Sequence, residues 1–213
     1  MTAAHKISVV VFDLGRVLVH IDFDAFPRSL GIDPKRARRK EKDAVEQLAM
    51  RYETGQLTTD RFFDHLGEVF EGRYTKEELL TAWNAIIGEE NKPMLPIVEE
   101  VQARYETAIL SNTSPVHFQK AYDNTSIIKR FSRRYLSYQM GAAKPSFAVF
   151  RRLIEDLPAA GSSILFIDDV QENVDAALKC GIVAILYDGV GKLEIALRRL
   201  EVLNGGAGNR FNT

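Results

Sequence analysis

Two rhythms of apolar residues divide the chain. From residue 94 onward, short apolar runs alternate with longer segments of helical period: MLPIVEEVQARY, TAILSN, SPVHFQKAYD, RYLSY, SFAVFRRLIEDL, SILFIDD, QENVDAALKCG, VAILY and GKLEIALRRLEVL. A short β-branched run fits a strand buried on both faces, and a period near 3.6 fits an amphipathic helix. Strand, helix and strand at this spacing predict right-handed crossovers and a parallel sheet covered on both sides. ISVVVFD, residues 7–13, supplies one further buried strand.

Between that strand and residue 94 the texture changes and no strand is evident. DPKRARRKEKDAVEQLAMRYETG has helical period and ends in Gly55, which fits a left-handed cap; TTDRFFDHLGEVFEG follows with a threonine start. A third helix is expected from Thr75, where T-K-E-E forms a capping box ahead of LLTAWNAII. The pattern therefore predicts an α/β core from residues 1–20 and 93–203, a helical cap over 21–92, and a loosely held glycine-rich tail, NGGAGNRFNT, over 204–213.

Composition narrows the function. With 46% hydrophobic and 27% charged residues over 213 positions, one domain with an insertion is expected. The net charge of -1, from 28 basic and 29 acidic residues, gives no global pull toward nucleic acid or an anionic membrane. KRARRKEK, residues 35–42, is locally basic, but acids follow at Glu41, Asp43 and Glu46 and no aromatics interleave, so it reads as a solvated helix face. One cysteine, Cys180, rules out an intrachain disulfide, and the apolar run before Asp13 is too short for a signal peptide or membrane span. A cytoplasmic protein is the expectation, with no nucleic-acid or membrane partner.

Ligands of open parallel sheets bind beyond the carboxyl ends of the strands. Those ends carry Asp13, then Ser111-Asn112-Thr113, then Lys144 in GAAKP, then Asp168-Asp169. Each alone is an ordinary turn or cap. Together they are chemically consistent: gathered carboxylates repel unless a divalent cation sits among them, and hard oxygen ligands suit Mg2+. A hydroxyl and an amide can meet phosphate oxygens, a lysine neutralises charge, and a free carboxylate can attack phosphorus.

FDLGRVLVHID, ILSNT, GAAKPSFAVF and FIDDVQENVDAALKCGI resemble, in order and spacing, the four motifs of the haloacid dehalogenase superfamily. FDLG, YETGQLTTDRFF and SNTSPVH look most like its branch of α-D-glucose-1-phosphate phosphatases. The resemblance implies a Rossmann-like, doubly wound core with an inserted all-helical cap, and a Mg2+-dependent phosphatase acting on a small phosphorylated metabolite such as a sugar phosphate. It implies Asp13 as nucleophile and metal ligand, the Gly15 carbonyl as a metal ligand, and Asp169 as the principal metal ligand with Asp168 and Asn173 in support. Ser111 and Asn112 would bind phosphate or substrate, Lys144 would bridge nucleophile and phosphate, and His117 would touch substrate or act as a structural hydrogen-bonder.

One position departs from the superfamily. Most of its phosphatases carry an aspartate two residues after the nucleophile as general acid and base, and here that residue is Gly15. Losing such help costs roughly 10²–10⁴ in rate. Asp22, His20 and Asp24 lie just downstream and are open as substitutes, Asp22 first. Arg16, where asparagine is usual, would hold phosphate or compete with metal. Two alternatives stand beside the phosphatase: a weak or inactive phospho-ligand-binding relative, and a dehalogenase, which needs neither acid nor metal. Trp83 is expected to pack between cap helices, and Glu53 or Asn84 to contact substrate if either does.

Overall fold

The computed structural model describes residues 6–204. Five parallel strands form the central sheet: β1 (Val9–Phe12), β4 (Glu106–Ser111), β5 (Arg133–Leu136), β6 (Ile164–Asp168) and β7 (Val183–Leu186), in the order β5-β4-β1-β6-β7. The numbering leaves room for β2 (Val19–Ile21) and β3 (Ile87–Glu90), which pair antiparallel as a separate ribbon. β1 is buried at all four positions, as a central parallel strand must be. Its residues alternate between two cores. Val10 and Phe12 join Ile109, Leu165 and Ile167 on one face, while Val9 and Val11 join Ala108, Leu110, Ile164 and Phe166 on the other.

Helices cover both faces. α5 (Leu95–Gln102), α6 (Pro115–Asn124) and α10 (Val190–Arg199) contribute to the first core; α8 (Phe147–Asp156) and α9 (Gln171–Lys179) contribute to the second. The short α7 (Ser137–Met140) follows β5 directly. Val149, Phe150 and Leu153 of α8 lie at helical spacing on one buried stripe. Full burial of each such side chain contributes ~1.5–3 kcal/mol.

Between the ribbon strands stand α1 (Ala25–Ser29), α2 (Arg39–Glu53), α3 (Thr59–Val69) and α4 (Lys76–Asn84), around an aromatic-rich core of their own. The expected start signals are used. Thr58 accepts a hydrogen bond from the Arg61 backbone, and Thr75 and Glu78 form the reciprocal capping box. Gly55, at φ +72, sits in the left-handed region just after α2. The ribbon corrects the strandless reading of this region: β3 falls within residues 21–92. The basic stretch before and within α2 is paired locally, Arg38 with Glu41 and Arg39 with Asp43. No helix among the described residues is long and apolar enough to cross a membrane. Of the expected tail, Asn204 is described, with its backbone amide donating to Glu100 at 2.8 Å, and residues 205–213 lie outside the described residues.

Candidate active site

Strand parity builds the site. Asp13 follows Val9 and Val11 on their face of the sheet, and Asp168 follows Ile164 and Phe166 on the same face of the neighbouring strand. The register Phe12↔Ile167 places the two carboxylates side by side, and the Asp13 amide donates to the Ile167 carbonyl at 2.8 Å. Two adjacent buried acids on one face need a cation from the layer covering that face, which is α8. Lys144, three residues before that helix, supplies it. Its ammonium donates to Asp13 Oδ1 at 2.5 Å, to Asp168 Oδ2 at 2.6 Å and to the Leu110 carbonyl at 3.0 Å.

The cluster is short of positive charge. Burial pushes the Asp13 carboxyl up to about 7, Lys144 pulling it down and Asp168 adding to the rise. Burial alone would lower the Lys144 ammonium, but Asp13 and Asp168 outweigh it and hold the pKa above its ordinary value, so the lysine stays charged. Asp169, one residue on and mostly buried, points instead to the cavity mouth, where it meets only Arg16 at 3.4 Å. Arg16 is half exposed, lies over the Phe23 ring at 5.2 Å, and has a left-handed backbone at φ 58. Three carboxylates thus face one buried ammonium and one loosely held guanidinium. The Asp13 and Asp169 carboxylates, with the Gly15 backbone beside them, are the hard oxygen donors that fit a divalent cation.

Gly15 is not in the left-handed region, so its backbone does not require glycine. What it avoids is crowding: a Cβ there would stand 3.2 Å from Ile21 Cγ1, which would have to shift by a few tenths of an ångström, and 4.0 Å from Asp13 Oδ2.

A family model for haloacid dehalogenase-like hydrolases matches residues 7–181. The chain belongs to this family. A curated relative, D-ribitol-5-phosphate phosphatase of Bacteroides thetaiotaomicron, is 29% identical over 184 residues, covering 82% of this chain and 89% of its own. An HAD family enzyme of the same organism superposes with a TM-score of 0.77 at 24% identity, over 86% of this chain and 94% of its own. It has also been solved with magnesium and inorganic phosphate. An HAD-like hydrolase of Porphyromonas gingivalis reaches a TM-score of 0.76 at 24% identity, over 92% and 98%. At these identities the solved structures speak to the fold.

This hydrolase gathers Asp13, Gly15, Arg16, Ser111, Asn112, His117, Lys144 and Asp169 around one cavity of about 1060 Å³. Three expected roles change, those of Asn112, Asp168 and Asp22, and His117 takes the structural role of the two expected for it. Asn112 spends its side chain on the Lys144 backbone, donating to its carbonyl and accepting from its amide, both at 2.8 Å, so it fixes the lysine's loop and not a substrate. Asp168 is fully buried, with its oxygens taken by Lys144, the Val170 amide and Asn173. It anchors the lysine beneath the site and presents no edge to a metal. His117 bonds the Trp83 carbonyl at 2.8 Å through Nε2 and stacks on the Trp83 ring at 4.8 Å, tying α6 to α4. Burial lowers its pKa to about 4, so it is a neutral structural link between cap and core. Asp22 is exposed, paired with Arg28 and the Asp24 amide, and does not line the cavity.

Glu53 was foreseen only as a substrate contact, and the structure gives it more weight. It lines the cavity with Asp13, and no partner for its carboxylate is found among the described residues. Burial pushes it up to about 7. Its neighbours fix its place: Tyr52 is fully buried, and a Cβ on Gly55 would stand 2.4 Å from the Tyr138 carbonyl, so the end of α2 is pressed onto the core near α7. Ser137 of α7 in turn holds both the amide and the carbonyl of Thr113, beside Ser111. Sequence held one signal for this, an acid two residues before a helix-ending glycine, which is too common to single out.

Proposed function

We propose that this hydrolase is a Mg2+-dependent phosphomonoesterase that works through an aspartyl-phosphate on Asp13. The observation that carries the reading is Lys144 bridging Asp13 and Asp168 at 2.5 and 2.6 Å, at the carboxyl edge of a parallel sheet and beneath a cavity. The metal would be held by the Asp13 and Asp169 carboxylates and the Gly15 carbonyl. It would supply charge that keeps Asp13 ionised and neutralises the phosphoryl oxygens. Lys144 orients Asp13 and cancels part of the same charge. The Ser111 hydroxyl, at the end of β4 and lining the cavity, would exchange its long bond to the Asn112 carbonyl, 3.4 Å, for a phosphate oxygen.

In the first step an Asp13 carboxylate oxygen bonds to phosphorus and the bond to the leaving alcohol breaks. In the second, water cleaves the acyl phosphate and Asp13 is regenerated. The leaving oxygen needs a proton that Gly15 lacks. Glu53, which keeps its proton up to about pH 7, is the cavity acid suited to give it. The relative's activity on D-ribitol 5-phosphate supports a small phosphorylated alcohol as substrate.

A second reading, phospho-ligand binding without turnover, has Gly15 and the Arg16–Asp169 pair at 3.4 Å in its favour, since that cation occupies a carboxylate the metal needs. Phosphate release from a panel of phosphomonoesters, with Mg2+ and with chelator, for wild type and Asp13→Asn, separates the two. Mg2+-dependent release abolished by the substitution supports the phosphatase. No release, with ligand-dependent thermal stabilisation retained, supports the binding protein.

A further inference from the structure

We infer that the substrate is a phosphomonoester with a largely apolar body, carried in the cap, and not a bare polyol phosphate. The inference rests on the phosphatase reading above. The cavity of about 1060 Å³ is far larger than a phosphate and its immediate attachment need, and at the upper end of sites that bury drug-sized ligands. Its walls above Asp13 are apolar: Ile21 from the ribbon, Phe23 and Ile32 flanking α1, and Val45, Ala49 and Met50 from α2.

The stripe on α2 gives the direction. Leu48 and Tyr52 are the buried residues of this helix and pack into the cap's aromatic core. Val45, Ala49 and Glu53 follow one another at spacings of four on the cavity side. Glu53 lies at the end pressed onto the core, and at ~1.5 Å rise per residue Ala49 stands ~6 Å and Val45 ~12 Å farther along the helix from that end. Of the charges beside this stripe, Glu41 pairs with Arg73 at 2.5 Å and the Lys42 ammonium donates to the Pro34 carbonyl at 2.7 Å, while Asp24 and Glu46 are exposed to solvent. At the mouth stand Phe23 and Met50, 61% and 66% exposed, the two most exposed large apolar side chains among the described residues. Water-facing apolar residues at the rim of an apolar cleft mark a surface that a ligand covers. A polyol would leave hydroxyls unpaired along such walls, whereas an alkyl, prenyl or ring-bearing body would not.

The test uses the full chain with Mg2+ and n-alkyl phosphates from ethyl to decyl, held below their aggregation concentrations, beside pentitol 5-phosphates. Burial of each methylene is worth about fourfold, so with about half of the six methylenes between ethyl and octyl fully buried kcat/KM should climb about a hundredfold over the series and then level, with pentitol phosphates near the short end. Met50→Gln and Val45→Thr, the first exposed and the second isosteric, should each cut the octyl-to-ethyl ratio several-fold within the same enzyme. Thermal stabilisation by non-hydrolysable alkyl phosphonates should grade with chain length in parallel. Graded stabilisation without any turnover would sink the phosphatase reading and keep the apolar site. Pentitol phosphates turned over in preference to a flat alkyl series would overturn the inference and leave the phosphatase standing.

Discussion

Replacing Glu53 by glutamine should stabilise the protein at alkaline pH and change little in mild acid. An exposed glutamate ionises near 4.5, but Glu53 is held up to about 7 by burial, with no described partner to compensate. Its place in the last turn of α2, at the negative end of the helix dipole, works in the same direction. The folded state thus binds the proton more tightly than the unfolded chain, and stability falls as pH rises from about 4.5 to 7 and is level above. The full difference is about 3 kcal/mol, and residual solvent contact brings the expected effect to about 2 kcal/mol at pH 8 and below 1 kcal/mol at pH 5. For a chain of this size that is roughly 4–8 °C in Tm at the alkaline end. His117, lowered to about 4, contributes with the opposite sign: its stability is full above about 6.5 and is lost as pH falls toward 4. It is common to both proteins and cancels in the difference. Urea denaturation of wild type and Glu53→Gln at pH 5, 6 and 8 makes the comparison. A pH-independent difference, or a variant less stable at pH 8, would refute the buried, unpaired carboxyl.

Lys144→Met leaves Asp13 and Asp168 adjacent, buried and without their cation, so a loss of about 3–5 kcal/mol is expected in metal-free buffer at pH 8, read by urea denaturation. A loss under 1 kcal/mol would mean the acids are already neutral. Arg16→Asn relieves a left-handed arginine while giving up a weak, half-exposed ion pair, so a gain of about 0.5–1 kcal/mol is expected, with Mg2+ binding tightened several-fold by calorimetry. Weaker Mg2+ binding would show that Arg16 does not compete for Asp169. Gly15→Asp places an acid whose Cβ is 4.0 Å from Asp13 Oδ2, and should raise turnover of alkyl phosphates by up to ~10² relative to p-nitrophenyl phosphate, whose leaving group needs no proton. An unchanged ratio would mean that proton transfer to the leaving oxygen does not limit the wild type.

Where a residue sits at a strand end, its position was legible in the sequence; where its meaning depends on a distant partner, it was not. Asp13 and Asp168 interrupt continuous apolar runs, and runs of that kind become central parallel strands, so the sequence alone sets both carboxylates at one sheet edge. The capping box at Thr75 is equally local and forms as read. β3 was hidden because IGEE is short, charged and contains Gly88, which reads as a breaker. In the fold that glycine is needed, since a Cβ there would stand 2.9 Å from the His20 carbonyl on the paired strand. Asn112 could be placed beside the phosphate site, but its engagement by the Lys144 backbone spans 32 residues and has no local signature. Asp22 is suggested by its place just downstream of Gly15, where the resembled superfamily folds a flap over the site, and Arg28, one helical turn into α1, takes its carboxylate away from the site.

The glycine at position 15 and the apolar cavity belong to one arrangement. An acid at that position would project into a space bounded by Ile21, 3.2 Å from its Cβ, and Ile21 is also part of the apolar wall. An ionised aspartate there would raise Asp13 further, because it adds a fourth carboxylate to a cluster already short of positive charge. Omitting it keeps the proposed nucleophile Asp13 easier to ionise and leaves proton supply to the cap. Glu53 holds its raised pKa only while the end of α2 is pressed against Tyr138 and the core. With the cap lifted, Glu53 would regain water and give up its proton near pH 4.5. On the proposed mechanism the proton donor is therefore assembled only while the cap rests on the core, and the same contact that walls an apolar body sets the donor's hold on its proton.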